Sequence, residues 1–280
     1  MLSSGSAATE TIGGTVMVER RRYVRFEYEG RVRFGRVAPT VDDHTPVEVL
    51  TGDPARIDVV ATGELLPMEV MRMLAPVVPG KIVAVGRNYA DHIAETGLGA
   101  PPVPRLFFKP PSAVTGPDTD IVYPEQSRRV EHEAELAVVM GRTARKVKAA
   151  DAAAYVFGYT CANDVTARDI QQADGQPSWA KAFDTFCPLG PWIVTGIDPG
   201  NLAIGAMVNG EYRQRSRTSH MLTPVPDLIE YITTAVTLEP GDIILTGTPA
   251  GVGPVRPGDW VSVFIEHIGT IRNTVTSGTE

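Results

Sequence analysis

Residues 129–140 read RVEHEAELAVVM, and no other stretch of the chain constrains its fold and chemistry as tightly. As a β-strand, its period-2 alternation sends Glu131, Glu133 and Glu135 to one face, which then continues into Ala137 and Val139. Carboxylates on a wet strand are commonplace. Carboxylates that lead into a core repel one another and require a cation to compensate them. A hard divalent ion such as Mg²⁺ takes oxygen ligands, usually two or three carboxylates with water on the remaining positions, so a third ligand has to come from elsewhere. The segment Asn163-Asp164-Val165-Thr166-Ala167-Arg168-Asp169 is the candidate source. It leaves Asp164 and Asp169 equally eligible, with Arg168 available as an ordinary ion-pair partner for either.

The chain around this site has 280 residues, enough for one large domain plus a small one. Its 27 Gly and 23 Pro imply many turns and argue against a helical bundle. A formal net charge of −7 gives no pull toward phosphate backbones, so no nucleic-acid partner is expected. The one dense basic run, Arg20-Arg21-Arg22 with Arg25, lies among Glu19, Glu27 and Glu29 as a charge-balanced edge. Cys161 and Cys187 are too few for a disulfide framework and lack C-x-x-C spacing, which reads as two reduced, buried thiols in a cytoplasmic protein. Residues 1–18 lack the charged start and apolar core of a signal peptide, and no apolar run approaches 18 residues. Neither export by that route nor a membrane span is expected.

Along the chain, residues 1–18 read as a frayed tail. Tyr23 to Phe34 alternates apolar and charged residues about Glu29-Gly30, a β-hairpin with one wet face. Pro67 to Leu74 is a helix candidate with proline in the first turn, and Pro76 and Pro79-Gly80 end it. The proline-marked break near 78 divides a small amino-terminal module, 19–78, from a main domain, 79–280. Short strands follow at Lys81–Val85, Arg105–Phe108, Val130–Met140, Pro191–Val194, Ala203–Val208, Ile243–Thr246 and Trp260–Ile265, with a hairpin turn at Asn209-Gly210. Helices in this part are expected to be short and few, at Ala149–Tyr155, behind Asp151, and at Pro226–Val236, where apolar residues recur on one face. The sum is a strand-dominated α+β architecture.

Three further constellations carry chemistry. His92 and Glu95, in GRNYADHIAE after a strand, lie at i and i+3 of a short helix, as a base and the carboxylate that orients it. Gly86 and Gly97 flank the segment, so it can move as a lid. Lys181 falls between Trp179 and Phe183, where an ammonium is either partly desolvated or snorkels to water. The loop Leu245–Pro254, LTGTPAGVGP, matches neither a dinucleotide fingerprint nor a P-loop, yet its backbone amides suit a small carboxylate.

Taken in order, GRNYADH (86–92), FFKPPSAVTGP (107–117), HEAELAVVMG (132–141), GYTCANDVTARDIQ (158–171), AKAFDTFCPLGPW (180–192) and GDIILTGTPAGVG (241–253) resemble the fumarylacetoacetate hydrolase superfamily over roughly residues 80 to 272. The resemblance implies a mixed β-sheet roll, Mg²⁺ or Mn²⁺, and usually a homodimer. It places metal ligands at Glu133, Glu135 and Asp164, leaving Glu131 and Asp169 outside the set. It implies Lys181 beside the substrate, with Arg87, Tyr89, Lys109, Gln171 and Thr248 as polar contacts. In the acylpyruvase-like branch the matches to His92 and Glu95 form a dyad on the lid, which points to hydrolysis of the C3–C4 bond of a 2,4-dioxo acid. Isomerisation of a hydroxymuconate or hydroxyheptadienedioate substrate, or oxaloacetate decarboxylation, are the alternatives on the same metal site. A non-catalytic binding role ranks last. The first 80 residues carry none of these motifs and look like the variable module that precedes the catalytic domain.

Overall fold

The computed structural model describes residues 11–12, 15–16, 19–37, 45–97 and 99–278. The alternating run near the amino terminus forms an antiparallel hairpin of Arg22–Tyr28 (β1) and Arg31–Val37 (β2), with φ of 49° and 70° at Glu29 and Gly30. Two positive φ values mark the turn class whose twist matches that of the flanking strands. Pro46–Leu50 (β3) and Ala61–Pro67 (β4) extend the sheet, and Val24, Phe26, Val37, Val47 and Val49 form a small core on it. Of the tail expected over 1–18, Thr11–Ile12 pairs with Thr15–Val16, and the remainder lies outside the described residues.

The helix expected over Pro67–Leu74 does not form. Pro67 ends β4, Met68–Val70 makes one 3-10 turn, and Arg72–Leu74 (β5) pairs antiparallel with β1. Ladder bonds to β1, with Met68, Met71 and Met73 packed on the Phe26 core, outweigh the weak helical tendency of so short a segment. The module's strands also continue the sheet of the main domain, because Arg22 and Tyr23 pair with Val194 and Ile193. The proline-rich break near 78 therefore interrupts the motif content of the chain without interrupting its hydrogen bonding.

In chain order the main domain then supplies Ile82–Gly86 (β6), Ala90–Thr96 (α1), Arg105–Lys109 (β7), Val130–His132 (β8), Ala134–Met140 (β9), Val156–Asn163 (β10), Arg168–Asp174 (α2), Pro177–Ala180 (α3) and Cys187–Val194 (β11). Ala203–Val208 (β12), Glu211–Arg217 (β13), Val225–Ala235 (α4), Ile243–Leu245 (β14), Gly253–Val255 (β15), Trp260–Ile265 (β16) and Gly269–Ser277 (β17) complete it. One large sheet runs β4-β3-β2-β1-β11-β10-β9-β14-β6-β7, and it is mixed because β14 and β6 are parallel. A second sheet orders Ile121–Tyr123, β17, β16, β12 and β13, with Asn209 and Gly210 turning β12 into β13 at φ of 52° and 84°. Ala149–Tyr155 is a 3-10 segment, so the α-helix expected there is corrected to a tighter, shorter-range turn.

β9 is apolar on consecutive positions from Leu136 to Met140 because both its faces are buried. Leu136, Val138 and Met140 pack with Ile204, Val263 and Leu228 of the second sheet and α4, while Ala137 and Val139 pack with Ala84 and Leu189 on the other side. The single strand read over Val130–Met140 is in fact two. At Glu133 the ladder gives way: its N–H donates to the Asn163 side chain at 2.9 Å, and its carbonyl accepts from the Asp164 N–H at 2.9 Å. β8 thereby leaves the large sheet and pairs instead with Thr166–Ala167 and β15. The junction turns all three ligand candidates toward one cavity.

Candidate active site

A cavity of about 910 Å³ opens at this junction, with Glu133, Glu135 and Asp164 on its floor. The three carboxylates are buried, and one oxygen from each lies within 4.8 Å of the others. Lys181 Nζ sits among them, donating to Glu133 Oε2 at 2.8 Å and Asp164 Oδ2 at 2.5 Å, with the Phe107 ring centroid 5.3 Å away. Arg168 bridges Glu131 and Glu133 at 2.6 and 2.5 Å, and Arg129 adds a second bond to Glu131 at 2.7 Å. Glu131 is therefore charge-compensated by two arginines and stands outside the triad. Asp169 faces away, accepting from Ser127 Oγ and the Arg128 N–H.

The triad is electrostatically lopsided. Burial alone would push Glu133 up, but the Lys181 and Arg168 charges outweigh it and hold the carboxyl below its ordinary range. Burial raises Glu135 well above that range, and the charges of Asp164 and Glu133 raise it further. Lys181 stays protonated because those two carboxylates overcome its desolvation. Glu135 has one described donor, the Gly247 N–H at 2.7 Å, supplied by the glycine-rich loop after β14. Gly247 takes φ of +95°, and a Cβ there would stand 2.8 Å from the Asn88 side chain, so the loop can approach this closely only as glycine. Glu133 and Asp164 each have two cationic partners and Glu135 has none among the described residues, and three buried carboxylates converging in this way are an all-oxygen donor set suited to a hard divalent cation. With no thiolate or imidazole among them, Mg²⁺ or Mn²⁺ fits better than zinc or copper.

The remaining expected residues fall into two groups. Arg87, His92, Glu95, Gln171, Lys181 and Thr248 all line the cavity. His92 Nδ1 lies 3.5 Å from Glu95 Oε2 across one turn of α1, and Glu95 accepts from the Gly251 N–H at 3.1 Å, tying the helix to the glycine-rich loop. Thr248 Oγ1 accepts from Gln214 at 2.8 Å, and Gln171 is engaged by Arg168. Tyr89 and Lys109, also expected as substrate contacts, are not among the residues that line the cavity. Tyr89 is fully buried behind the floor, where desolvation and then the Glu135 charge raise its hydroxyl. Lys109 lies beneath Asp164, donating to Asp164 Oδ1 at 2.6 Å and to the Phe186 carbonyl at 3.0 Å.

Sequence reasoning missed Gln214, and it paired Arg168 with Asp164 or Asp169 where the structure pairs it with Glu131 and Glu133. Gln214 is the one buried residue of β13; its Oε1 accepts from the Ala134 N–H at 2.9 Å while its Nε2 donates to Thr248 and to the Pro249 carbonyl. It braces the glycine-rich loop against the start of the ligand strand. A lone amide at an inward position of an otherwise charged strand was the available signal.

The fumarylacetoacetate (FAA) hydrolase C-terminal family model matches residues 81–276, and a model described as Rv2993c-like, N-terminal matches residues 21–76. The chain is 45% identical over 249 residues to the mitochondrial oxaloacetate tautomerase FAHD2A of Bos taurus, covering 82% of this chain and 79% of that one. A solved 5-carboxymethyl-2-hydroxymuconate delta-isomerase from Mycobacterium smegmatis superposes with a TM-score of 0.86 at 44% identity, covering 91% of this chain and 99% of the other. The maleylpyruvate hydrolase of Sphingobium sp. SYK-6, solved with manganese(II) and pyruvate, gives 0.74 at 30% identity over 92% and 100% of the two chains. A family match over most of the chain, and relatives of this identity and coverage, agree with the fold and the acidic floor: the chain belongs to the fumarylacetoacetate hydrolase family.

Proposed function

We propose that this chain is a divalent-metal-dependent enzyme that hydrolyses the C3–C4 bond of a 2,4-dioxo acid, giving pyruvate and a carboxylic acid. The observation that carries this reading is the His92–Glu95 pair, set in the wall of a cavity whose floor is the carboxylate triad. Glu133, Glu135 and Asp164 would hold Mg²⁺ or Mn²⁺, which when bound supplies a Lewis acid for the carboxylate and C2 oxygen of a 2-oxo acid. Glu95 orients His92, and His92 takes a proton from water as its oxygen bonds to C4. The C3–C4 bond then breaks with its electron pair moving into the pyruvate enolate, near the Lys181 ammonium, which stabilises that charge as it develops. His92 returns its proton to C3. Looseness of the 3.5 Å His92–Glu95 contact is ordinary for a site without substrate.

A second reading has specific support: the relatives at 44% and 45% identity are named an isomerase and a tautomerase, against 30% for the hydrolase. In that reading His92 shuttles a proton to and from the same enolate, and no water is consumed. The test is a panel of acetylpyruvate, fumarylpyruvate, oxaloacetate and a hydroxymuconate-type diacid, each with Mg²⁺, with Mn²⁺ and with chelator. Metal-dependent pyruvate release with ¹⁸O from labelled water in the carboxylic acid supports hydrolysis. Metal-dependent loss of the enol absorbance without pyruvate release moves the assignment to the second reading, and turnover indifferent to metal overturns both.

A further inference from the structure

The imidazole of His132 turns away from the cavity. It alternates with Glu131 and Glu133 along the chain, is 1% exposed, and is not among the lining residues. Its Nδ1 lies 3.2 Å from Gln214 Oε1, which also accepts from the Ala134 N–H at 2.9 Å. The nitrogen of that amide donates to Thr248 Oγ1 and to the Pro249 carbonyl, both at 2.8 Å. Backbone groups fix the amide at its two ends: an N–H only donates and a carbonyl only accepts, so Oε1 has to face Ala134 and Nε2 has to face Pro249. With Oε1 opposite it, His132 Nδ1 has to carry a hydrogen. That leaves His132 Nε2 as a buried lone pair with no partner among the described residues. The other tautomer would set a lone pair against Oε1 and strand an N–H in its place, which is worse on both counts.

The same logic reaches the cavity. Thr248 Oγ1 has to accept from Gln214, so its own hydrogen is left without a partner among the described residues. Thr248 lines the cavity next to Gly247, whose N–H holds Glu135. Resting on the reading that the triad binds a 2-oxo acid through a metal, we propose that His132 and Gln214 are positioning residues, a buried relay that holds Thr248 as a dedicated hydrogen-bond donor to an acceptor oxygen of the ligand. An uncommitted threonine hydroxyl donates or accepts with equal ease. The relay removes that choice, so a carboxylate or enolate oxygen is matched there and an N–H meets a donor instead of an acceptor.

The test reads ligand affinity by calorimetry, with pyruvate titrated into the full chain loaded with Mg²⁺. Native protein is compared with Thr248→Val, Gln214→Met, His132→Leu and His132→Asn, and with Thr248→Val combined with Gln214→Met or with His132→Leu. Mg²⁺ affinity and thermal unfolding are measured for each. Thr248→Val is expected to weaken pyruvate about tenfold or more, as loss of a hydrogen bond to a charged group does. Gln214→Met should cost about fivefold and His132→Leu about threefold alone, but each less than about twofold when Thr248 is already valine, because the effect travels through that one hydroxyl. His132→Asn, whose amide N–H can stand where Nδ1–H stood, should keep native affinity to within about twofold. Burial pushes the His132 pKa down, so the ring is neutral at pH 8. In ¹⁵N spectra of the metal-free chain at that pH, the resonance lost in His132→Asn should report the Nδ1–H tautomer. Equal losses in both backgrounds are the mark of a merely structural brace and overturn the relay, as does native pyruvate affinity in Thr248→Val or an Nε2–H tautomer at His132. If Gln214→Met unfolds, the His132 variants and the tautomer still decide. Absence of metal-dependent pyruvate binding in the native chain instead overturns the reading on which the relay rests.

Discussion

The floor and the wall of the cavity are built by opposite means. Glu133, Glu135 and Asp164 sit at the ends of strands inside two-sided cores and Lys181 directly after α3, each at most 5% exposed and each hydrogen-bonded in place. His92 and Glu95 ride instead on a seven-residue helix closed by Gly97 in the left-handed conformation, with the Glu95 side chain 43% exposed. A helix of two turns has little stability of its own and holds only through contacts such as Glu95 with Gly251. Charge binding is thus preorganised in the least deformable part of the molecule. In the proposed mechanism proton transfer would sit on the element with the least stability of its own, the kind of element that substrate entry and water exclusion require. A change of reaction within one fold is cheaper to make on such a helix than on the floor beneath it.

The largest expected effect lies in the floor. Asp164→Asn removes a ligand and the shared partner of Lys109 and Lys181, so divalent-metal binding measured by calorimetry should vanish and turnover should fall about 10³-fold or more. It also strands the fully buried Lys109 ammonium, so denaturant unfolding should show a loss of about 3–5 kcal/mol. Retained metal affinity would break the contrast between floor and wall. Next comes the wall itself: His92→Ala should lower turnover by about 10²–10⁴-fold while metal affinity stays native. A parallel loss of metal binding would show that the helix and the floor are one unit. Lys109→Met should weaken metal binding by about 10–100-fold, with turnover recovering at saturating metal, because the lysine acts through Asp164. A raised KM at saturating metal would return Lys109 to the substrate.

Much of this contrast was legible in the chain, and what was not has identifiable causes. The two hairpin turns, Ala203–Val208 and Trp260–Ile265 follow from local turn chemistry and alternation, which tertiary contacts merely reinforce. The face shared by Glu133, Glu135, Ala137 and Val139 follows from the period of a strand, and it is the face that meets the cavity and the second core cluster. The break at Glu133 was invisible because a side chain thirty residues on, Asn163, takes over a ladder bond. Pro67–Leu74 misled because its partner strand is forty-odd residues away, and local propensity carries no trace of that pairing. The depth of Lys109 was not legible for a different reason. Alternation tells which face a residue takes, but depth along that face depends on where the strand enters the core.

The smallest effect expected concerns thiols, and it measures the contrast between floor and wall directly. Cys187 is fully buried beside the floor, and burial pushes its thiol up to about 12; burial raises Cys161 as well. Because the thiolate is the reactive form, a pKa raised this far leaves almost none of it at pH 8, and the fraction grows only as pH climbs toward 12. Native protein should therefore show no fast thiol toward a disulfide reagent at pH 8, and two after unfolding. Ala94→Cys, at an exposed position of α1, should add one thiol that reacts at the rate of a free cysteine. Divalent metal with a bound 2-oxo acid should slow that thiol several-fold by closing the helix over the cavity, and leave the two native cysteines silent. Fast reaction of Cys187 in the native chain would mean that the floor opens as readily as the wall, and the division of labour between them would be lost.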